Sequence, residues 1–483
     1  MTAIFRNITL IILFAFLSIV FGYFIYEGES KSIILIGLTI LCLAIVPFII
    51  EKVSFGIQLL IVCAPISLDL TLASGGQISI PTELLTLFIL LLVLVKWLVG
   101  FRLNDQIFRH PIFIILIFDL IWTIISASQS DLDLIAFKRV VLKAIYVAVY
   151  FLFFGSFLKT LKLQRGIFTW YGLGFLIPIV WTLISHAKYN FEQPYSPAVS
   201  EPFYVDHTIY GACLAFIIPL FALQLLEKKN YLNISRPILI GFVLLLLAAV
   251  TFSYSRASWL SLLGAGGLFM LIKFRIRFGV VLALIGIVSF AGSVNFYKLY
   301  SSAESNNTKY NDDVSVHLSS VTNLKSDESN LERINRWVCA VRMARDKPIF
   351  GFGPGTYQFE YDKYQTPEFM TRISTHKGDK GNAHSEYLMA LSETGVIGLV
   401  LFVLLVLSSL KLGFKVVYAS QNNEEKMLAT AAILGLSTFY IHGLFNTFSD
   451  MDKMAILFLG SLSILVNIDL AQRNQKEIEE KTI

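Results

Sequence analysis

Residues 381–412 read GNAHSEYLMALSETGVIGLVLFVLLVLSSLKL, and the second half of this stretch is apolar at nearly every position. A run of about 20 apolar residues is long enough to cross the roughly 30 Å hydrocarbon core of a bilayer as a helix. Because lipid offers no partner to backbone N–H and C=O groups, such a run is expected to be an α-helix. The stretch therefore indicates a membrane-spanning helix with a histidine, a serine and two glutamates at its start.

The rest of the chain repeats this pattern. Of its 483 residues, 55% are hydrophobic and 15% are charged, and the mean hydropathy of +0.68 is too high for a soluble domain of this length. We predict an all-α polytopic membrane protein with about 12–14 transmembrane helices and one large, partly helical loop. The weakest candidate span is 54–69, which CAPISLDL interrupts. The spans lie near 8–27, 32–50, 54–69, 80–99, 111–128, 136–157, 166–185, 207–226, 235–253, 257–273, 278–295, 386–412, 427–446 and 453–470.

The first span is expected to be a retained helix, because it lacks a small-residue cleavage site and a second span follows at once. The connecting loops then alternate in charge. Acidic loops such as EGES, SQSDLDL and NFEQPYSPAVSEPFYVD fall on one side, and basic loops fall on the other. The positive-inside rule makes the basic side cytoplasmic, with both termini. The basic loops carry Lys96, Arg102 and Arg109; Lys159, Lys162 and Arg165; Lys228, Lys229 and Arg236; and Lys273, Arg275 and Arg277.

The predicted organisation has four parts: about 11 transmembrane helices in 1–295, a large outer loop in 296–383, about three helices in 384–470, and a cytoplasmic tail in 471–483. The outer loop is far longer than a connection needs to be. Apolar residues at helical spacing predict an amphipathic helix over 331–346, and Pro348 ends it. The small net charge of +5, without a basic stripe, gives no indication of a nucleic-acid partner, and the four cysteines show no metal or disulfide spacing.

Several arginines are placed where they could bind an anion. Arg256, in TFSYSRASWL, lies in a short turn at the outer end of a span, where a guanidinium suits a phosphate group, although an arginine in this position is more often only interfacial. Lys138 and Arg139 lie at a similar outer helix end. Arg333 and Arg336 share one face of the loop helix beside Trp337 and could clamp an anionic headgroup or only decorate an amphipathic helix.

For other polar residues, the sequence allows both a functional and a structural interpretation. Asp131 and Asp133 form an Asp-x-Asp pair of the kind that can hold a hard cation, a spacing that is also common by chance. Asp119 is an ionisable residue within an apolar span and so a functional candidate, or a hydrogen-bonded packing residue. The glycine-rich GFGPGTY, 351–357, lacks the ending of a phosphate loop and is expected to be a tight turn that packs the outer loop on the membrane helices.

His384 could remove a proton from a hydroxyl near neutral pH, although a single interfacial histidine is more often inert. Gly395 and Gly398 are expected to lie on one helix face and to let another helix approach closely.

In combination, these residues resemble the O-antigen ligase and polymerase superfamily. HSEYLMALSETGVIG resembles its signature of His, a small polar residue, nine further residues, Gly, two residues and Gly, here His384, Ser385, Gly395 and Gly398. SYSRASWL and RINRWVCAVRMARDKPIFGFGPGTY resemble the family's arginine-bearing segments, and the polar FNTFSDMD follows. This resemblance covers roughly 207–460, and the N-terminal half matches only as a set of hydrophobic helices.

The resemblance implies a GT-C-like, metal-independent and inverting glycosyltransferase of lipopolysaccharide biosynthesis that needs no cofactor. It would be a multi-pass protein of the bacterial inner membrane and would move a glycan from an undecaprenyl diphosphate carrier to the lipid A core on the periplasmic face. His384 would be the general base, and Arg256 with Arg336 or Arg333, and Arg139, would bind the diphosphate. Asp450, with Asp452 as its rival, Ser385 and Asp119 would give support. An O-antigen or capsule polymerase and a protein O-oligosaccharyltransferase remain alternatives within the family, and a polytopic transporter of lipid-linked glycans outside it.

Overall fold

The protein was studied as a computed structural model, which describes residues 46–71, 77–306, 328–365, 370, 374 and 381–482. The span expected at 8–27, and all but the last residues of the span at 32–50, lie outside this part. The helices are α1 Val53–Cys63, α2 Thr82–Leu98, α3 Pro111–Ser128, α4 Asp133–Phe157, α5 Leu161–Ala187, α6 His207–Leu226, α7 Arg236–Phe252, α8 Arg256–Lys273, α9 Phe278–Asn306, α10 Glu328–Asp346, α11 Glu386–Ala419, α12 Asn423–His442 and α13 Asp452–Thr482. Short turns of helix lie at Ala64–Ile66, Asp105–Phe108, Gln193–Tyr195, Tyr357–Glu360 and Tyr361–Tyr364.

The fold is an all-α polytopic membrane protein, as predicted. Within the described residues, six helices are long and apolar enough to cross a membrane: α3, α4, α5, α6, α11 and α13. Others are shorter, such as α7 and the first part of α9, Phe278–Val294. Helix α4 includes a π-helical segment, Val147–Phe153. The prediction of about 12–14 spans therefore has six clear members in the described part of the chain.

The weakest predicted span, 54–69, is not one continuous helix. Helix α1 ends at Cys63, a 3₁₀ turn containing Pro65 follows, and the chain then enters an antiparallel hairpin of β1 Leu68–Thr71 and β2 Gln77–Ile80. An 11-residue helix is about 16 Å long and too short to cross the hydrocarbon core. The interruption that CAPISLDL indicated in the sequence therefore ends the helix, and α1 packs against α5.

Helix α12 lies at the centre of the bundle and packs against α6, α8, α11 and α13. It approaches α6 closely at Gly435, where a Cβ atom would lie 2.6 Å from the ring of Phe216. Because α12 is buried on nearly all sides, its last residue, His442, is held in a fixed position. The starts of α4, α6, α8, α11 and α13 and the ends of α3, α5, α7 and α12 alternate along the chain, as antiparallel neighbours require. We call this side of the bundle the His384 end.

Helix α11 departs from the expected geometry at its glycines. Gly395 has φ +71° and interrupts the helix, and a Cβ atom at this position would collide with the backbone carbonyl of Ile349. A Cβ at Gly398 would meet the side chain of Thr394, in its own preceding turn. The expectation that these glycines let another helix approach is therefore wrong, because Gly395 instead admits the backbone of the outer loop.

The loop segment after α10 is fastened to this interruption. The backbone N–H groups of Phe352 and Gly353 donate to the carbonyls of Ser392 and Glu393, at 3.1 and 2.8 Å. Gly351, Gly353 and Gly355 all have positive φ, a region that glycine enters without steric cost. The glycine-rich segment is therefore a tight turn packed on the membrane helices, as the sequence indicated.

Candidate active site

His384 lies immediately before α11 in a backbone conformation that is uncommon for a side chain with a Cβ, with φ +45°. Three side chains hold it there. Its N–H donates to Asn382 Oδ1 at 2.9 Å, its carbonyl accepts from Trp337 Nε1 at 3.2 Å, and its Nδ1 lies 3.3 Å from Asn446 Oδ1. Uncommon backbone conformations that the surroundings enforce are frequent at functional sites. The arrangement fixes both the position and the direction of the imidazole.

A chain of buried polar groups continues from the imidazole into the bundle. Asn446 Nδ2 lies 3.2 Å from His442 Nε2, and His442 Nδ1 lies 3.4 Å from Ser258 Oγ. Ser258 Oγ in turn donates to Ser255 Oγ at 2.8 Å. Asn446 and His442 are 4% and 1% exposed. The chain joins the segment after α12 to the turn that precedes α8.

The hydrogen-bond donors and acceptors in this series of polar groups fix which ring nitrogen of each histidine carries the proton. Asn446 Nδ2 can only donate, so His442 Nε2 is the acceptor and a neutral His442 carries its proton on Nδ1. Asn446 Oδ1 can only accept, so His384 carries its proton on Nδ1. The lone pair of a neutral His384 is therefore on Nε2, the ring nitrogen that faces away from Asn446.

Burial, together with the nearby positive charges of Arg336 and Arg333, lowers the pKa of His384 to about 4. The hydrogen bond to Asn446 and the charge of Asp206 act in the opposite direction. The imidazole is therefore neutral at pH 7, the form in which it can accept a proton.

Arg336, on α10, forms hydrogen bonds with neighbouring groups of the protein. Its Nε donates to Glu332 Oε1 at 2.6 Å, its Nη1 donates to the carbonyl of Asn382 at 3.2 Å, and its guanidinium lies 5.0 Å from the ring centre of Tyr361. The side chain is 5% exposed. Arg336 therefore fastens the segment that leads into His384.

Arg333 lies one turn earlier on α10 and is only partly buried. Its charge lowers the pKa of His384, which places it near the imidazole. Arg256 is exposed at the first position of α8, two residues before Ser258. Arg333 therefore lies near the imidazole, and Arg256 lies next to the turn that the polar chain from His384 reaches.

Glu386, which no sequence argument assigned, holds the segment that carries Asn446. Its Oε1 accepts from the backbone N–H groups of Phe448 and Ser449 at 2.6 and 2.8 Å, and its Oε2 accepts from Ser449 Oγ at 2.8 Å. Its own N–H donates to the carbonyl of Gly443 at 2.8 Å. The first residue of α11 thus holds the polar segment FNTFSDMD, residues 445–452, in place.

A second polar cluster lies beneath the glycine-rich turn. Arg139 Nη2 and Asp450 Oδ2 form a salt bridge at 3.1 Å. The carboxylate of Glu393 accepts from the backbone N–H groups of Gly355 and Tyr357 at 2.8 and 3.0 Å. Arg139 therefore contacts Asp450, a candidate itself, and Glu393 holds the turn in place.

The remaining candidates have local partners. Asp119 Oδ2 lies 2.6 Å from Lys143 Nζ, so it joins α3 to α4. Asp131 pairs with Lys347 Nζ at 2.6 Å, and this contact lowers the pKa of Asp131. Ser385 Oγ caps α11 by accepting from the N–H of Leu388. Asp452 is 4% exposed and caps α13 beside Lys453.

Sequence reasoning missed His442, Asn446 and Asp206. The sequence does contain an indication of His442 and Asn446, since a histidine ends an apolar span and an asparagine follows it by four residues. Asp206 caps α6 through the N–H of Thr208 at 2.9 Å, and the sequence gives no indication of its place near His384. Within the described ranges, no three His, Cys, Asp or Glu side chains are grouped as a metal site requires.

A comparison with known sequence families found a match. The sequence family described as O-antigen ligase matches residues 241–403, a segment that includes Arg256, Arg333, Arg336 and His384. No curated protein matches the chain at a significant level. The similarity to the O-antigen ligase family covers residues 241–403 of the 483-residue chain.

Proposed function

We propose that the protein moves an oligosaccharide or polysaccharide from an undecaprenyl diphosphate carrier to a hydroxyl of the lipid A core. The single observation that carries this proposal is the orientation of His384, a neutral buried imidazole whose Nε2 lone pair faces away from its Asn446 partner. A general base for a sugar hydroxyl needs this combination of protonation state and fixed direction. The family match supplies the reaction class.

In the proposed reaction, His384 Nε2 takes the proton of the acceptor hydroxyl as its oxygen attacks the anomeric carbon. The bond between that carbon and the carrier diphosphate breaks, and the electron pair leaves with the diphosphate. A single displacement of this kind inverts the anomeric configuration. The charge that develops on the leaving group requires cationic stabilisation, and the proposal requires no metal or cofactor.

Among the arginines, Arg333 and Arg256 are assigned to the diphosphate. Arg336 is assigned to positioning, because its guanidinium already bonds Glu332 and Asn382. Arg139 has a carboxylate partner in Asp450, so its assigned role is to support the glycine-rich turn beneath the site.

We further propose that the His384 end faces the periplasm. The basic loops then lie in the cytoplasm with the C-terminus, as the positive-inside rule requires. Residues 296–383 form the periplasmic loop in this orientation, and the carrier lipid reaches the site from within the bilayer. A GT-C-like description of the whole protein belongs to the same proposal.

The test is transfer by the purified enzyme with a carrier-linked glycan and lipid A core as acceptor. His384→Ala is expected to lower turnover by roughly 10²–10⁴-fold, the usual contribution of a general base. His186→Gln is the matched control, because His186 is also buried near the same end of the bundle but bonds the carbonyl of Glu192 at 2.9 Å. Near-normal transfer by His384→Ala would refute the catalytic role.

The acceptor is tested in a deletion strain. Carrier-linked polymer that accumulates while lipid A core stays bare supports the ligase. Accumulation of single carrier-linked repeats would show a polymerase instead, and loss of glycan from proteins alone would show the protein-glycosylating branch.

A further inference from the structure

The bundle contains a positively charged cavity at the end opposite to His384. It has a volume of about 510 Å³ and is lined by Arg275, Arg277, Phe278, Lys411, Phe414, Lys415 and Tyr418. The first three belong to the turn between α8 and α9 and to the start of α9, and the last four belong to α11. About 25 residues of helix, or roughly 38 Å, separate Lys411 from the start of α11. A bilayer with its headgroups is about 40–45 Å thick, so the two sites lie at opposite headgroup levels.

The charge of this cavity is not compensated within its lining. All four ionisable lining groups apart from Tyr418 are cations, and no acidic side chain of the described residues lines the cavity. Lys415 Nζ pairs with Asp469 at 2.5 Å, but Asp469 also bonds Arg473 Nη2 at 2.6 Å. Arg275, Arg277 and Lys411 form no salt bridge within the described part of the chain. The cavity therefore attracts an anion.

The cavity is also held in shape by its own residues. Tyr418 donates to the carbonyl of Ile276 at 3.0 Å and so ties the turn to α11. Arg275 has φ +56°, a left-handed conformation that closes the turn between the two helices. The rings of Phe278 and Phe414 lie 5.6 Å apart and form an apolar floor. A cationic rim above an apolar floor matches a group that has both an anionic head and a hydrocarbon chain.

We propose that this cavity binds the headgroup of an anionic phospholipid from the membrane leaflet opposite to the His384 site. Basic cavities between transmembrane helices at this depth bind anionic headgroups, and the volume lies in the range of small-ligand sites. The four cations bind the phosphate-containing head, and the aromatic floor contacts the first part of an acyl chain. The bound lipid joins the turn before α9 to α11.

A neighbouring cavity at the same end provides the contrast. It is larger, about 660 Å³, and includes Arg102 and Lys159, but Asp105 and Glu425 also line it. Its cations are balanced by acids, so it has no comparable attraction for an anionic headgroup. Changes at Arg102 and Lys159 therefore control for a general loss of positive charge at this membrane surface.

The experiment measures lipid binding to the full-length protein by native mass spectrometry, with phosphatidylglycerol and phosphatidylcholine as probes. We expect one saturable binding site for phosphatidylglycerol, from which phosphatidylcholine does not displace the bound lipid. Each cation near an anionic headgroup contributes roughly fivefold to binding, so the triple change Arg275→Gln, Arg277→Gln and Lys411→Gln should weaken binding by roughly 100-fold. The double change Arg102→Gln and Lys159→Gln should leave it within about twofold.

Two further measurements keep the inference open to refutation. If the triple variant does not fold, Lys411→Glu is used, because Lys411 is exposed on a helix and the change reverses one charge. Excess inorganic phosphate should not displace the lipid, because it cannot occupy the apolar floor. Equal binding of both lipids, equal loss in the Arg102 and Lys159 control, or full displacement by phosphate would each overturn the proposal. Transfer activity is not a readout, so this result is separate from that of the proposed glycosyltransferase.

Discussion

Replacement of Asn446 tests the directional chain that orients His384. The amide is buried and bonds both imidazoles, at 3.3 Å to His384 and 3.2 Å to His442. In Asn446→Leu both ring nitrogens lose their partner, and each unsatisfied buried group costs about 1–3 kcal/mol. Because His384 can then rotate or move its proton to Nε2, we expect turnover to fall by roughly 10–100-fold, less than in His384→Ala.

Asn446→Asp is a more specific test than Asn446→Leu, because it keeps the shape of the side chain and adds a negative charge. An opposite charge at this distance raises a pKa by about 1–3 units, so the pKa of His384 should rise from about 4 toward roughly 5–7. The base is active only when it is deprotonated. The acid limb of the rate profile should therefore move to higher pH, with roughly tenfold less transfer than wild type near pH 5 and recovery near pH 8.

The assay is initial-rate transfer by purified protein between about pH 4.5 and 8.5, with unfolding temperature measured in the same buffers. Asn467→Asp is the matched control, because it makes the same chemical change at the opposite end of the bundle, beside the carbonyl of Leu158. An acid limb that coincides in wild type and Asn446→Asp, while both remain folded, would refute the proposed orientation of His384.

Three other substitutions distinguish residues that act in the proposed reaction from residues that stabilise the fold. Arg333→Gln should lower turnover by roughly 10²–10³-fold with little change in unfolding temperature, and unchanged turnover would remove Arg333 from the diphosphate site. Arg336→Gln should lower the free energy of unfolding by about 3–5 kcal/mol, since it leaves the buried Glu332 unpaired, and an unchanged unfolding temperature would argue against this role. Glu393→Ala should speed hydrogen exchange in 351–357, measured by mass spectrometry, because two backbone N–H groups lose their acceptor; exchange equal to wild type would contradict that.

Part of the site could be predicted because it depends on local sequence. His384, Ser385, Gly395 and Gly398 have a fixed spacing that resembles the family's signature, and they lie within the matched residues 241–403. The roles of Gly395 and Arg336 could not be predicted in the same way. A positive φ and a buried ion pair depend on which backbone and which carboxylate come near, and these come from the outer loop and the preceding turn.

The sequence by itself determined that the protein is a bundle of membrane helices, because hydrocarbon admits no unsatisfied backbone and the apolar runs have the length of the bilayer. It also determined which segments bear the arginines and the histidine. Only the tertiary structure decided that Asn446 and His442 meet His384, that Glu386 holds Asn446 in place, and that Arg336 is occupied by Glu332. Hydrogen-bond direction and charge pairing act over a few ångströms between residues far apart in the chain, and folding alone brings those residues together.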